Sequence, residues 1–115
     1  MKSISIKLEE TLRKNSMFKK RETIKQVEEG NDLAPKFDKN GFIPVVTTDV
    51  KTGVVLMHAY MTEEALKKTI TTKEAHYYSR SRKCLWHKGA TSGLIQDIKN
   101  IFIDDDQDCI WLNVS

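Results

Sequence analysis

Short apolar runs separated by turn residues dominate the chain from Phe37 onward. The segments GFIPVVTTDV and VVLMHAYM are largely apolar, and KTG between them supplies a turn with Gly53 at its end. Two such runs around a glycine turn predict a pair of antiparallel strands. Pro44 has no amide proton for a sheet, so it predicts that the first strand lies at an edge or begins there.

A helical segment follows this pair of strands. TEEALKKTITT has a good N-cap in Thr62, and Ala65, Leu66, Thr69 and Ile70 form an inner face at helical spacing. The remaining apolar runs predict further strands, in EAHYYS, LWHKGATSG, LIQDIKNIFI and CIWLNV. The whole pattern predicts a small α+β domain, with a mostly antiparallel sheet and one or two short helices.

The first 34 residues have a different texture, because they are polar and rich in lysine and glutamate. They predict a lead-in segment, residues 1–34, with one short helix over Arg21–Glu29 that ends at Gly30. We assign this segment no chemistry. The folded domain is placed at residues 35–115.

Composition narrows the class of protein. A chain of 115 residues with 39% hydrophobic and 30% charged residues is expected to form a single globular core. No apolar run approaches the roughly 20 residues that cross a bilayer, so no membrane partner is expected. Cys84 and Cys109 are too few for a disulfide framework, which predicts a reducing cytoplasm and leaves one disulfide between them as the alternative.

The net charge of +3 is small but unevenly distributed. Residues 73–99 hold six lysines and arginines against two acids, whereas residues 103–115 hold four aspartates and no base. A nucleic-acid-binding protein usually has a broader basic face, so nucleic acid is not expected as a partner. The uneven charge instead favours a phosphorylated small molecule held by bases and a metal ion held by acids.

Asp104, Asp106 and Asp108 occupy alternate positions near the end of the sequence. In an extended strand they would share one face. Like charges persist on one face only when they are solvated or neutralised by a cation, and all-oxygen ligands favour Mg²⁺ or Ca²⁺ over zinc. A solvated acidic turn is the alternative. An EF-hand is excluded because its central glycine and distal glutamate are absent.

Cys109 follows these acids and, in the same strand pattern, shares the opposite face with Asp105. A cysteine there is either a small core residue or one ligand of a zinc ion. The chain has no CxxC or HxxxH pair to complete a zinc site. These residues alone are therefore a weak indication of zinc.

The segment YYSRSRKCLWHKGATSG is dense with groups that bind phosphate. Arg80 and Arg82 offer planar, bidentate guanidinium donors next to serine hydroxyls. A second donor cluster lies in the glycine-bounded turn that follows, and comprises Lys88, Thr91, Ser92 and Gly93. The segment as a whole favours phosphate binding.

Aromatic and imidazole groups in the same segment leave two interpretations open. Tyr77, Tyr78 and Trp86 either stack on a base or belong to the core of a small sheet. His76 and His87 are either acid–base groups or structural histidines.

Taken together, these segments resemble phosphoribosyl-AMP cyclohydrolase, the zinc enzyme of histidine biosynthesis. The matching residues run from PKFDKNGFIPVVTTDVKTGVVLMHAYMTEEALKKTI through EAHYYSRSRKCLWHKGATSG to DDDQD, about two-thirds of the chain. The motifs AYM, SRSR, LWHKGATSG and the alternating aspartates occur in order. Residues 1 to about 34 lie outside the match.

The resemblance implies a homodimer with sites shared between subunits, and a hydrolase that opens the adenine ring of N1-(5-phosphoribosyl)-AMP between N1 and C6. A zinc-bound hydroxide would attack the ring carbon while a nearby base manages the protons. The alternating aspartates match the family's magnesium ligands, and the SRSR and KGATSG segments look like its phosphate-handling elements. The candidate site therefore comprises His76 and His87 for catalysis, Arg80, Arg82, Trp86, Lys88, Thr91 and Ser92 for substrate, and Asp104, Asp106 and Asp108 for Mg²⁺.

Two features depart from the family pattern. The family commonly has a zinc-binding cysteine between its first two aspartates, where this chain has Asp105, and Cys109 is the candidate to supply the sulfur instead. The family's further zinc ligands, a Cys-His pair and another cysteine, follow the position of Ser115. We therefore expect an incomplete Zn²⁺ site in this chain. The alternative function is a weakly active or non-catalytic relative that binds a phosphorylated nucleotide or only dimerises.

Overall fold

The computed structural model describes residues 1–4 and 18–115. Within these residues the chain forms seven strands and two helices. The strands are β1 (Lys2–Ser3), β2 (Ile43–Asp49), β3 (Val55–Met61), β4 (His76–Ser79), β5 (Cys84–His87), β6 (Ile98–Ile103) and β7 (Ile110–Val114). The helices are α1 (Ile24–Glu29) and α2 (Glu63–Thr72). The predicted α+β class is confirmed.

All seven strands belong to one sheet, in the order β1-β6-β7-β2-β3-β4-β5. β2 and β7 are parallel, with Val45 opposite Ile110, and every other neighbouring pair is antiparallel. The last strand in sequence therefore lies in the middle of the sheet. An isolated bridge between Glu74 and Asp97 also brings together the segments that precede β4 and β6.

Pro44 is the second residue of β2. The predicted edge position is wrong, because β2 pairs with β3 on one side and β7 on the other. The predicted position at the beginning of a strand is correct. The parallel ladder to β7 starts only at Val45, so the missing amide proton of Pro44 interrupts no hydrogen bond there.

Helix α2 forms as the sequence predicts. The Thr62 hydroxyl accepts a hydrogen bond from the Ala65 amide at 3.2 Å and caps the first turn. Ala65, Leu66 and Thr69 are buried against the sheet, and Ile70 packs beside them. The helix ends at Lys73, which adopts a left-handed conformation with φ of 60°.

Helix α1 is shorter than predicted. It begins at Ile24 because Thr23 and Gln26 form a capping box at its start, and it ends before Gly30 as expected. Residues 5–17 of the predicted lead-in lie outside the described residues. Ile4 and Leu33, from either end of that segment, belong to the same buried cluster as the sheet residues. The boundary at residue 34 stays a prediction.

The core lies between α2 and the sheet. Its largest side chain is Tyr77, which is fully buried. The Tyr77 hydroxyl donates to Oε1 of Gln96 at 2.7 Å and lies 2.7 Å from Oγ1 of Thr47. Burial raises the pKa of Tyr77 to about 12, although the hydrogen bond with Thr47 opposes the rise. No helix in the described residues is both long and apolar enough to cross a membrane.

Replacing Tyr77 by Phe should lower the free energy of unfolding by about 1–3 kcal/mol, because Gln96 and Thr47 lose a buried partner. Tyr77 keeps its proton to about pH 12 in the folded state, whereas an unfolded tyrosine ionises near pH 10. The unfolded state therefore binds fewer protons above roughly pH 10, and stability falls there as pH rises. Urea denaturation at neutral and alkaline pH should show a weaker decline in Tyr77→Phe.

The matched control for this variant is Tyr60→Phe, since the Tyr60 ring is half-buried on the other face of the sheet. It should leave the alkaline decline unchanged. Equal declines in Tyr77→Phe and the unmodified protein would contradict the assignment to Tyr77.

Candidate functional site

The four aspartates near the end of the chain lie in the turn between β6 and β7, residues 104–109, called here the acidic loop. The Gln107 amide donates to the Asp104 carbonyl at 2.9 Å, and the Asp104 amide donates to the Cys109 carbonyl at 3.2 Å. Gln107 is left-handed, with φ of 56°. The predicted alternation of faces along a strand is therefore wrong, because the chain reverses within this segment.

Asp104, Asp106 and Asp108 nevertheless come together. Their carboxylate oxygens can all lie within 4.8 Å of one another, as one ligand atom from each. Asp106 is exposed, whereas Asp104 and Asp108 are half-buried. Oδ1 of Asp104 accepts the amides of Asp108 at 2.8 Å and Cys109 at 3.1 Å, which fixes this carboxylate in the loop.

The three carboxylates oppose one another electrostatically. A hydrogen bond with the Asp104 carboxyl raises the pKa of Asp108, and burial and the charges of Asp104 and Asp106 add to the rise. In the described residues, no lysine or arginine forms an ion pair with these carboxylates. A hard dication would neutralise the repulsion among the three carboxylates, so the donor set fits Mg²⁺.

The structure places the two candidate zinc ligands on the acidic loop without completing a zinc site. Asp105 is exposed and Cys109 is half-buried, with its Sγ 3.8 Å from the carbonyl oxygen of Ile110. Burial raises the pKa of the Cys109 thiol, and the charges of Asp104 and Asp108 raise it further. Of residues 1–4 and 18–115, the potential ligands that cluster in threes are the three aspartates alone. These residues therefore do not fit a zinc ion by themselves.

A second candidate site is an open groove at β4 and β5, called here the cleft, with a volume of about 620 Å³. It is formed by the hairpin of β4 and β5 and the turn that follows β5. Its lining residues are Ser79, Ser81, Arg82, Cys84, Leu85, Trp86, His87, Lys88, Gly89, Thr91 and Ser92. Six of them are site residues predicted from the sequence: Arg82, Trp86, His87, Lys88, Thr91 and Ser92.

The two arginines of the SRSR segment diverge. Arg82 lines the cleft, and its amide donates to the Ser79 hydroxyl at 3.3 Å within the turn. Arg80 is not among the lining residues, because its guanidinium lies over the Tyr60 ring, 3.9 Å from the ring centroid. Although Arg80 and Arg82 are two residues apart in sequence, they do not lie on the same surface.

The aromatic residues separate in the same way. Tyr77 is fully buried, so it belongs to the core, and Tyr78 is half-buried against Phe42. Trp86 is 36% exposed, and the Lys88 ammonium lies 5.5 Å from its ring centroid. Of the three, Trp86 is the ring that the cleft presents to a ligand.

His76 and His87 face each other across β4 and β5, with ring centroids 4.3 Å apart and planes 5° from parallel. Nε2 of His87 lies 2.8 Å from the Glu74 carboxylate, and Nδ1 of His76 lies 2.8 Å from the Glu74 carbonyl. His87 lines the cleft, whereas His76 is 6% exposed. Sequence reasoning missed Glu74, because its carboxylate contacts His87, 13 residues away, and no local spacing signals that contact.

The cleft and the acidic loop share no lining residue. In the order of the sheet, β2 and β3 lie between β7, which follows the acidic loop, and the β4–β5 hairpin, which forms the cleft. The part of the chain that the structure describes thus carries two separate sets of polar groups, one cation-binding in character and one anion-binding.

A match to a known family covers both sets of groups. Residues 57–115 match the family described as phosphoribosyl-AMP cyclohydrolase. This range includes β4, β5, the turn after β5 and the acidic loop. The chain belongs to the phosphoribosyl-AMP cyclohydrolase family.

Curated proteins named phosphoribosyl-AMP cyclohydrolase are similar to this chain. One from Rhodopseudomonas palustris is 57% identical over 88 residues, which is 76% of this chain and 58% of that protein. One from Bradyrhizobium diazoefficiens is 52% identical over 89 residues, 77% of this chain and 64% of the relative. One from Nitrobacter hamburgensis is 50% identical over 88 residues, 76% of this chain and 60% of the relative. The chain thus spans less than two thirds of the length of these phosphoribosyl-AMP cyclohydrolases.

Replacing Asp106 by Asn should weaken Mg²⁺ binding, because it removes one charge at nearly constant volume. Asp106 is exposed, so the fold should tolerate the change. Asp105→Asn is the matched control, because Asp105 is exposed on the same loop but lies outside the converging carboxylates. Thermal unfolding with and without Mg²⁺ measures the effect. A Mg²⁺-dependent rise in Tm that Asp106→Asn keeps and Asp105→Asn loses would contradict the assignment.

Gly89 and Gly93 are a matched pair for testing how closely the turn after β5 packs beside the cleft. Both are left-handed, with φ of 87° and 82°. A Cβ at Gly89 would overlap backbone atoms of Leu94 and Ile95, whereas a Cβ at Gly93 would meet open space. Gly93→Ala should cost about 1–2 kcal/mol of stability from its backbone alone, and Gly89→Ala should cost more. Equal losses in urea denaturation would show that the close approach is unimportant.

Proposed function

We propose that this chain is a phosphoribosyl-AMP cyclohydrolase that opens the adenine ring of N1-(5-phosphoribosyl)-AMP hydrolytically between N1 and C6, a step of histidine biosynthesis. The observation that carries the proposal is that a chain of this family has a converging carboxylate cluster and a cleft rich in cationic and hydroxyl groups. Such a pair of sites suits a substrate that carries phosphates and needs a dication.

Substrate binding is assigned to the cleft. Arg82 and Lys88 supply positive charge, and the hydroxyls of Thr91 and Ser92 supply donors in the same groove. Arginine can bind a phosphate through two parallel hydrogen bonds, whereas lysine acts as a point charge. Trp86 offers a partly exposed ring on which a base can stack. Arg80 stays a predicted phosphate ligand, although its guanidinium lies over Tyr60.

His87 is the stronger of the two acid–base candidates. Its Nε2 lies 2.8 Å from the Glu74 carboxylate, which cannot donate a proton when ionised and therefore holds the proton on Nε2. Nδ1 then carries the lone pair and can accept a proton from a group bound in the cleft. His76 stacks behind the His87 ring and is buried, so we assign it a supporting role.

Mg²⁺ is assigned to Asp104, Asp106 and Asp108. When bound, it would supply a dication whose charge offsets that of the substrate's phosphates. Asp104 is held by two backbone amides, so one carboxylate is oriented before a cation arrives. Zinc has no comparable site. In the described residues, Cys109 and Asp105 have no third ligand beside them, so no step is assigned to zinc.

A homodimer with shared sites is part of the proposal. The cleft and the acidic loop of one chain are separated by two strands of the sheet, β2 and β3, and have no lining residue in common. If one substrate uses both, the cleft of one subunit and the acidic loop of its partner can form a composite site. A two-fold dimer would contain two such composite sites.

Mixing two variants tests the activity and the sharing together. Asp106→Asn damages the acidic loop and Arg82→Ala damages the cleft, so each variant alone should be nearly inactive toward N1-(5-phosphoribosyl)-AMP with Mg²⁺ and Zn²⁺ supplied. A mixed dimer would hold one composite site built from two intact halves. After unfolding and refolding together at equal amounts, about a quarter of the activity of the unmodified protein should return.

The controls separate the parts of the proposal. Each variant refolded with itself should stay inactive. Activity in the unmodified protein without any recovery in the mixture would refute shared sites but leave the cyclohydrolase function standing. A protein that binds a nucleotide monophosphate but opens no ring would favour the non-catalytic alternative.

A further inference from the structure

Gln107, in the middle of the acidic loop, is fully buried although its side chain is an amide. Its Oε1 accepts the Ala34 amide at 2.8 Å. Its Nε2 donates to the Val27 carbonyl at 2.8 Å and to the Asp32 carbonyl at 3.1 Å. A side chain from the acidic loop therefore forms three hydrogen bonds to the backbone of a segment more than 70 residues away in sequence.

Backbone contacts join the same two segments. The Lys36 amide donates to the Gln107 carbonyl at 2.7 Å. Nη1 of Arg21 donates to the Asp106 carbonyl at 2.8 Å and to the Ala34 carbonyl at 2.9 Å. Residues 21–36 thus contact the loop through Gln107 and through the backbone carbonyl of Asp106, which leaves the three converging carboxylates free of these contacts.

The side-chain chemistry explains why glutamine suits this position. An amide has one oxygen acceptor and two donors on nitrogen, which match one backbone amide and two backbone carbonyls. A leucine would remove all three of these hydrogen bonds, and an ionised glutamate would place a charge against two carbonyls. Gln107 also has a left-handed φ of 56°, a conformation that persists in a non-glycine residue only where the surroundings hold it.

We propose that Gln107 is a positioning residue for the cation site: its amide holds the acidic loop against residues 21–36, and this contact keeps Asp104, Asp106 and Asp108 converged. The inference rests on the proposed cation-binding function of the loop. It gives residues 21–36, to which the sequence assigned no chemistry, a role in shaping that site. Coupling of this kind is reciprocal, so a cation that orders the loop should also order residues 21–36.

Two substitutions distinguish the effect of the Gln107 side-chain amide from the effect of its left-handed backbone conformation. Gln107→Leu removes the three hydrogen bonds and replaces the amide with an apolar side chain of similar size. Gln107→Gly also removes them but relaxes the left-handed backbone, since glycine adopts this conformation without strain. If the turn alone shaped the loop, Gln107→Gly would keep cation affinity and Gln107→Leu would not.

Gln96→Leu is the matched control. Gln96 is also a buried glutamine, 8% exposed, whose amide contacts the Tyr77 hydroxyl and the Met57 sulfur away from the acidic loop. It should destabilise the protein without changing the loop. All variants are compared in the full chain at a temperature where urea denaturation shows each to be folded.

Two measurements are needed. Titration with Mn²⁺, followed by the electron paramagnetic resonance of the free ion, measures cation affinity. Amide hydrogen exchange by mass spectrometry, without and with Mn²⁺, measures the ordering of residues 104–109 and residues 21–36. We expect both Gln107 variants to bind Mn²⁺ about tenfold or more weakly, because removing groups that support metal ligands has effects of this size. Without metal, exchange should accelerate in both segments.

Mn²⁺ should also slow exchange at the amides of Ala34 and Lys36 in the unmodified protein, which a purely structural role of Gln107 does not require. Unchanged Mn²⁺ affinity in both Gln107 variants would overturn the proposal. The same holds if Gln96→Leu weakens Mn²⁺ binding equally, or if Gln107→Gly alone keeps it.

If the unmodified protein binds no Mn²⁺, the proposed cation function fails on its own account. Exchange without metal then decides the positioning role. Acceleration confined to residues 104–109 and 21–36 in the Gln107 variants supports it, and acceleration spread evenly over the chain refutes it.

Discussion

The parallel pairing of β2 with β7 is the constraint on which the rest of the structure depends. It places the last strand in the middle of the sheet, where Ile110, Leu112 and Val114 are buried together with Val45. Because β7 is central, the turn that leads into it lies beside the start of β2 and beneath residues 21–36. The acidic loop therefore begins beside a buried strand, and hydrogen bonds from Gln107 to Val27 and from Lys36 to Gln107 hold it there.

That placement explains how a cluster of like charges can exist in one turn. Repulsion among Asp104, Asp106 and Asp108 disfavours the converged loop and raises the pKa of Asp108. The opposing contributions are hydrogen bonds: two amides on the Asp104 carboxylate, and the buried amide of Gln107 on the neighbouring segment. Each such bond contributes about 1 kcal/mol, so several together can hold a geometry that electrostatics opposes. A bound dication would change the electrostatic contribution from unfavourable to favourable.

The shape of the cleft depends on turns and not on a buried, hydrogen-bonded side chain like Gln107. The β4–β5 hairpin has few buried residues beyond Tyr77, His76 and Gly89, so its polar side chains are exposed and its shape depends on turns. Lys83 and Gly89 both adopt left-handed conformations at those turns. The stacked histidines and Glu74 form a hydrogen-bonded polar cluster on this hairpin. A site at an exposed hairpin, separate from a well-braced acidic loop, suits the proposed sharing between two subunits.

The sequence by itself determined the local elements and the chemistry of the candidate groups. Thr62 predicted the start of α2, and the glycine turn after β2 predicted the β2–β3 pair. The SRSR, LWHKGATSG and aspartate motifs indicated phosphate and metal binding. They also carried the resemblance to a family that the comparisons confirm. Tertiary structure alone decided which groups meet. The aspartates, expected on a strand, lie in a chain reversal, and Arg80 and Arg82 lie apart. Gln107 joins segments that are distant in sequence. These outcomes depend on loop closure and burial, and so on contact partners that no local sequence pattern contains.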